Sequence, residues 1–318
     1  MFRSILLYLA KARWARRIIT GWKLSRMVAS RFIAGDTLDD AVKAVRALNS
    51  AGLNATLDHL GEAVTTEAEA RSAADDYLVL IDKICETGLR SNASLKLSQL
   101  GLNLSRDLCL DNLRRIVRKA AECGLFIRID MEDASTVDWT LEIWRALQRD
   151  HLANVGLVFQ SYLYRTEKDI RAVLSEGCRI RMCKGAYKEP ADLAYPKKSD
   201  VDASYDRVAR IMIDAAKAAG SVPVAADGRI PPVTALATHD EARISAARAY
   251  AEQVGLPKQA LEFQMLNGIR GDLQRKLAQE GYPVRVYVPY GTEWYPYFMR
   301  RLAERPANVW FFVSNFFR

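Results

Sequence analysis

Short apolar runs alternate with longer stretches in which apolar residues return every three to four positions, and this alternation fills most of the chain. The runs fall at 54–57, 94–97, 126–129, 156–159, 179–183, 233–237, 262–265 and 284–288. A brief apolar run bounded by polar turns has the length of a strand buried on both faces. The stretches near 64–88, 106–123, 137–150, 165–175, 200–219, 240–254 and 268–280, with a last one near 292–305, carry the period of helices packed by one face. Regular βα alternation implies a parallel sheet, and eight units of roughly 250 residues in all predict a closed (β/α)8 barrel, the TIM-type fold of the α/β class. An open, doubly wound sheet is the alternative. It would carry a glycine-rich phosphate turn after its first strand. Here that strand runs into Asp58-His59-Leu60-Gly61-Glu62, which is no such turn. An amphipathic segment at 37–49 precedes the barrel, with Asp36 or Thr37 as its cap.

Charge divides the chain. Arg3, Lys11, Arg13, Arg16, Arg17, Lys23, Arg26 and Arg31 all come before the first acid, Asp36. These eight match the net charge of +8, so the remainder is balanced. A basic body would suit nucleic acid. A basic arm on a neutral body suits a membrane surface or an acidic partner instead. Phe2, Ile5, Leu6, Leu9, Trp14, Ile18 and Trp22 give the arm an interrupted apolar stripe. It reads either as an interfacial helix or as a helix packed on the main domain. Residues 1–50 are thus expected to form a basic helical arm, and 51–318 a barrel domain that ends in an aromatic tail. No apolar run is long enough to span a bilayer, and no signal-peptide cleavage pattern follows the first apolar residues. Five cysteines without a Cys-x-x-Cys pair argue against a disulfide framework and for a reducing, cytoplasmic setting. The three histidines are not spaced as metal ligands, so no metal site is expected.

Barrels of this class carry their chemistry at the C-terminal ends of the strands. Asp58 and Glu62 follow the first run, Lys96 ends the second, and Asp130 and Glu132 follow the third. Gln160 ends the fourth; Arg181 and Lys184 belong to the fifth; Thr238 and His239 follow the sixth. Gln264 and Leu266 close the seventh and Tyr287 stands in the eighth. Strand ends are often polar because loops are solvated, but a lysine and an arginine within strands need a reason to be there. On the last helix, Tyr297, Arg300, Arg301 and Glu304 share one face by their i, i+3, i+4, i+7 spacing. Two adjacent guanidiniums form a fork for a carboxylate or phosphate.

The stretch Arg181-Met182-Cys183-Lys184-Gly185-Ala186-Tyr187 and the helix motif Tyr297-x-x-Arg300-Arg301-x-x-Glu304 resemble the proline dehydrogenase family. Thr56-Leu57-Asp58, Ala237-Thr238-His239-Asp240 and Glu262-Phe263-Gln264-Met265-Leu266 add to the resemblance in the same order, over roughly residues 50–305. The resemblance implies a distorted barrel, a flavin (FAD, with FMN as the other option) and oxidation of L-proline to Δ1-pyrroline-5-carboxylate by hydride transfer to flavin N5, the first step of proline catabolism to glutamate. It implies that Lys96, Asp130, Arg181 and Tyr287 are the catalytic group. Lys96, Tyr187, Leu266, Tyr287, Tyr297, Arg300 and Arg301 would bind substrate, the arginine pair on its carboxylate. Cofactor contacts would come from Gln160, Arg181, Cys183, Lys184, Gly185, Thr238, His239 and Glu304, the last also orienting the arginine pair. Glu62 would gate the site by pairing with Arg300. Cys183 takes a position expected to be aliphatic, where a small buried thiol serves as well. The resemblance further implies a quinone electron acceptor, and the arm would then hold the barrel at the cytoplasmic face of the membrane.

Two other readings compete. Lys96 or Lys184 at a strand end suits a Schiff-base aldolase, which needs no flavin. A barrel without turnover, gripping an acidic protein through its arginine pair, would need neither.

Overall fold

The computed structural model describes residues 29–61, 64–187 and 189–304, with the main chain alone for Arg300 and for 302–304. Eight parallel strands close into a barrel in sequence order. They are β1 (Asn54–His59), β2 (Ser91–Lys96), β3 (Ile127–Asp130), β4 (Val155–Gln160), β5 (Ile180–Cys183), β6 (Thr234–Ala237), β7 (Leu261–Leu266) and β8 (Val284–Tyr290). The ring closes where β8 pairs with β1, from Asn54 opposite Arg285 to His59 opposite Tyr290. The helices are α1 (Leu38–Ser50), α2 (Glu67–Thr87), α3 (Arg106–Glu122), α4 (Val137–Arg149), α5 (Thr166–Ser175), α6 (Lys198–Ala218), α7 (Glu241–Gln253), α8 (Gly271–Gln279) and α9 (Trp294–Glu304). Each expected run and helical stretch finds its element, with ends displaced by a few residues. The expected closed barrel is the observed one.

Local chemistry sets the helix starts. Thr37 caps α1 in a reciprocal capping box with Asp40, and Thr66 does the same for α2 with Glu69. Of the two expected caps for α1, Thr37 is the one used. The apolar face of α1, with Ala41, Val42 and Val45, joins the same core as the barrel strands.

The N-terminal end of the barrel is plugged by buried charge. Arg285 bonds Glu262 at 3.0 Å and the carbonyls of Ala55 and Gly228 at 2.7 and 2.8 Å. Arg128 bonds the carbonyls of Leu157 and Arg179, and burial pushes its ordinary value down to about 9. Carbonyl acceptors and one carboxylate let three buried charged groups coexist there.

One pairing runs against the expectation from cysteine count. Cys85 near the end of α2 and Cys123 at the end of α3 form a disulfide, their Cα atoms 6.0 Å apart. Consecutive outer helices of a barrel lie side by side, so residues 38 apart in sequence meet. Spacing alone carries no trace of that. Cys109, Cys178 and Cys183 form no disulfide.

A second apolar cluster lies over the C-terminal mouth. Trp294, Tyr295, Tyr297, Phe298 and Met299 of α9 pack with Leu60, Ile269 and the end of the arm, Ala29, Phe32 and Ile33. The arm's last residues thus pack on the barrel. Ala34 N–H donates to Pro289 O at 2.9 Å, and Gly291 N–H to Gly35 O at 2.9 Å. Residues 1–28, with the basic stripe, and the aromatic tail from 305 lie outside the described residues. No helix among the described residues is long and apolar enough to cross a membrane.

Candidate active site

A cavity of about 520 Å3 opens at the C-terminal ends of the strands. That lies within the usual range for small-molecule sites, roughly 300–1,000 Å3. Its wall includes Lys96, Asp130, Gln160, Arg181, Cys183, Lys184, Gly185, Tyr187, Thr238, His239, Leu266, Tyr287, Tyr297 and Arg301. Fourteen residues named from sequence therefore face one space. Glu62 lies outside the described residues, and the side chains of Arg300 and Glu304 are not described, although α9 carries both positions.

The floor is a network of charge. Lys96 and Asp130 end neighbouring strands and are register partners. The Lys96 ammonium is 3.7 Å from Asp130 but only 3.1 Å from Asp58 on β1. From β5, Arg181 reaches across to Asp130 and to Ser94 Oγ at 2.9 Å, with Gln264 Oε1 at 3.3 Å. Tyr287 on β8 donates its hydroxyl to Asp130 at 2.8 Å, and the Arg181 guanidinium lies 5.3 Å from the Tyr287 ring centre. Burial alone would raise the Asp130 carboxyl, but Arg181, Lys96 and hydrogen bonds from Ser94 and Tyr287 outweigh it and hold the group below the usual carboxylate range. Burial raises Tyr287 well above the ordinary phenol value, and the Asp130 charge adds to it, so the phenol stays a donor.

The wall on the β4–β6 side is built differently. Gln160 donates its amide to the Glu132 carbonyl at 2.7 Å, which fixes its orientation. Lys184 is held between Asp202 at 2.5 Å and Asp240 at 2.7 Å. Burial opposes the charge on both acids, yet Lys184 brings each below its ordinary value. His239 Nε2 accepts from Leu266 N–H at 3.0 Å, so that nitrogen carries no proton. Gly185 has φ +118°, and a Cβ there would stand 2.3 Å from the Tyr162 ring. A side chain would push the main chain away from Tyr162, so glycine is what lets the strand-end loop lie this close. The loop beyond, at 189–197, is tied down. Ala134 N–H donates to Glu189 at 2.8 Å, and Tyr195 N–H to Tyr162 O at 2.8 Å.

The donor set can serve an electron-rich planar ring. Arg181 and Gln160 present N–H groups, Lys184 an ammonium, and Val158, Met265 and Leu266 give apolar wall. On the α9 side, Tyr297 and Arg301 stand above Tyr287 and Leu266 as a half-apolar, cationic roof, suited to a small ring that bears a carboxylate. Sequence reasoning placed Asp58 and Gln264 at the strand ends without assigning them a role and passed over Ser94; all three are part of the network. For Asp58 a signal existed: an acid between apolar residues inside a strand pattern, Leu57 before it and Leu60 after.

Comparison with known proteins converges on one family. The family model for proline dehydrogenase matches residues 41–313. Proline dehydrogenase 1 of Bacillus subtilis (strain 168) is 39% identical over 315 residues, covering 99% of each chain. Proline dehydrogenase of Deinococcus radiodurans is 44% identical over 292 residues, covering 91% of this chain and 89% of that one. Among solved structures, proline utilization A (PutA) of Bdellovibrio bacteriovorus inactivated by N-propargylglycine superposes with a TM-score of 0.78 at 26% identity. The match covers 88% of this chain and 33% of that larger one.

Proposed function

This chain belongs to the proline dehydrogenase family and is a flavin-dependent oxidoreductase, and we propose that its cavity binds L-proline between the strand-end network and helix α9. The reaction is oxidation of L-proline to Δ1-pyrroline-5-carboxylate. The observation that carries the site assignment is the meeting, in one cavity, of Lys96, Asp130, Arg181 and Tyr287 from four strands with Tyr297 and Arg301 from α9. Arg301, with Arg300, clamps the substrate carboxylate. Tyr187, Leu266, Tyr287 and Tyr297 wall the ring and exclude water. Lys96, held by its two carboxylates, and Asp130, held by Arg181, give the ring nitrogen a fixed electrostatic surrounding.

The flavin, FAD with FMN as the other option, supplies an N5 acceptor for the hydride from C5 when it is bound. Gln160, Arg181, Lys184, Gly185, Thr238 and His239 would hold it, with Cys183 offering main-chain groups and Glu304 steadying the arginine pair. The positive charge of Arg181 would favour the electron-rich reduced form of a ring bound beside it. Glu62 pairing with Arg300 would gate entry. Electrons pass on to a membrane quinone, and residues 1–28 bring the barrel to the cytoplasmic face of the membrane through their basic stripe. Loss of residues 1–28 with undiminished liposome binding would overturn that last point.

The competing Schiff-base reading needs a neutral amine. Lys96 is instead ion-paired with Asp58 and Asp130, and Lys184 with Asp202 and Asp240, so both amines are engaged by carboxylates rather than presented to a carbonyl. The deciding experiment is an absorption spectrum of the purified protein without oxygen. Flavin bands that bleach on adding L-proline support the reading. Flavin bands indifferent to L-proline refute the substrate.

A further inference from the structure

The two carboxylates next to Lys96 are not equivalent. Asp130 lines the cavity and is surrounded by donors: Arg181, Ser94 Oγ at 2.6 Å and Tyr287 hydroxyl at 2.8 Å. Asp58 is fully buried and lies behind the cavity wall. Its oxygens are 3.1 and 3.2 Å from the Lys96 ammonium. Lys96, itself 8% exposed and part of the wall, therefore stands between Asp58 and the cavity.

We propose that Asp58 is the proton acceptor of this site, reached through Lys96. The inference rests on the amine-oxidation reading. A secondary amine reaches the enzyme as its ammonium at neutral pH, and a hydride leaves the neighbouring carbon only when the nitrogen lone pair is free. One proton must therefore depart first. In this step the substrate N–H bond breaks towards Lys96 as a Lys96 N–H bond breaks towards Asp58. The products are a neutral ring amine, an unchanged lysine ammonium and a neutral Asp58 carboxylic acid, with no electrons transferred. The transfer replaces a buried ammonium and a buried carboxylate with two neutral groups, which lowers the desolvation cost inside a closed site.

The surroundings favour Asp58 over Asp130 for this role. A carboxylate bound by a guanidinium and two hydroxyls resists protonation. Burial pushes Asp58 above its ordinary value and the Asp130 charge adds to it, while Lys96 and the Tyr287 hydroxyl oppose it without outweighing it. Among the described residues, Tyr287 and Tyr290 from β8 and Tyr77 from α2 are the further titratable groups facing Asp58. Burial holds all three phenols neutral. Arg181 is engaged by Asp130.

The test compares kcat/KM for L-proline against pH in flavin-loaded wild type and Asp58→Asn. The wild type should reach a plateau once Asp58 has ionised, well below the titration of free substrate amine. Asp58→Asn has no internal acceptor and admits only neutral amine, so its kcat/KM should climb about tenfold per pH unit without a plateau. Parallel profiles, with the variant merely lower, would assign Asp58 a structural role and overturn the proposal. A second test uses wild type alone, independent of the variant's folding. Infrared difference spectra on mixing with L-proline without oxygen should gain the carbonyl stretch of a protonated buried carboxyl, and its absence overturns the proposal. A wild-type flavin that L-proline does not bleach overturns the substrate reading and this one with it. Bleaching with parallel profiles overturns this one alone.

Discussion

Gly268 lies so close to Arg31 that a Cβ on the glycine would stand 1.8 Å from the Arg31 carbonyl oxygen. The glycine has φ +72°, and Arg31 Nε donates back to its carbonyl at 3.3 Å. Main chain meets main chain here, so neither side can yield by turning a rotamer. The contact fixes the end of the arm, whose Ala29, Phe32 and Ile33 back the inner aromatic face of α9.

Gly268→Ala should therefore act on both stability and substrate binding. Left-handed backbone costs a residue with a Cβ about 1–2 kcal/mol, and displacement of Arg31 adds to it. A fall in unfolding free energy of roughly 1–3 kcal/mol is expected, read by denaturant melts. KM for L-proline should rise more than kcat falls, because Tyr297 and Arg301 lose their backing while the strand-end network is untouched. A lowered melt with unchanged KM would show that the arm's end does not position α9.

At the other end of the barrel, Arg285 and Glu262 form a fully buried pair. Glu262→Gln leaves the guanidinium with neutral partners only, a change that costs about 3–5 kcal/mol when a buried pair is broken. The expected result is a large loss of stability and normal flavin bleaching by L-proline in whatever fraction remains folded. Strong loss of bleaching in folded variant would show that this plug also shapes the distant site.

Much of this was legible in the sequence, and for definable reasons. A barrel strand is buried on both faces, so it announces itself as an apolar run, and Lys96 and Arg181 stood out as charges inside such runs. Helix α9 was legible because Tyr297, Arg300 and Arg301 repeat at helical spacing. What stayed hidden depends on contacts between elements far apart in the chain. Arg181 and Asp130 meet across the barrel, 51 residues apart, and Lys96 takes Asp58, 38 residues away, as its nearer partner. The docking of Phe32 on α9 joins the two ends of the described chain. Nothing local in either segment encodes it.

The Cys85–Cys123 disulfide joins α2 to α3 on the outside of the barrel, away from the cavity. Closing a loop of this length contributes on the order of 2–4 kcal/mol by restricting the unfolded chain. Reductant should lower the thermal midpoint of wild type and leave that of Cys85→Ala unchanged, with flavin bleaching by L-proline the same in both. Equal midpoints with and without reductant in wild type would mean that the bond adds nothing to stability.

The free thiols Cys109 and Cys178 give the fold a pH limit on the alkaline side. Burial pushes both up from an ordinary value near 9 to about 12, with the Glu132 charge helping at Cys109 and Arg128 opposing at Cys178. A thiol is neutral when protonated, so the folded protein keeps its proton over a range in which the unfolded chain has lost it. The unfolded state then binds fewer protons, and stability falls as pH rises. The contribution is fully present below about pH 9 and is lost progressively between about pH 9 and about pH 12, on the order of a few kcal/mol per thiol. Urea midpoints of wild type should drop between about pH 8 and about pH 10.5 by more than those of a Cys109→Ala, Cys178→Ala double variant. The variant is less stable at the lower pH because of the small cavities it gains, but its slope with pH is shallower. Parallel slopes would show that these thiols do not govern the alkaline limb.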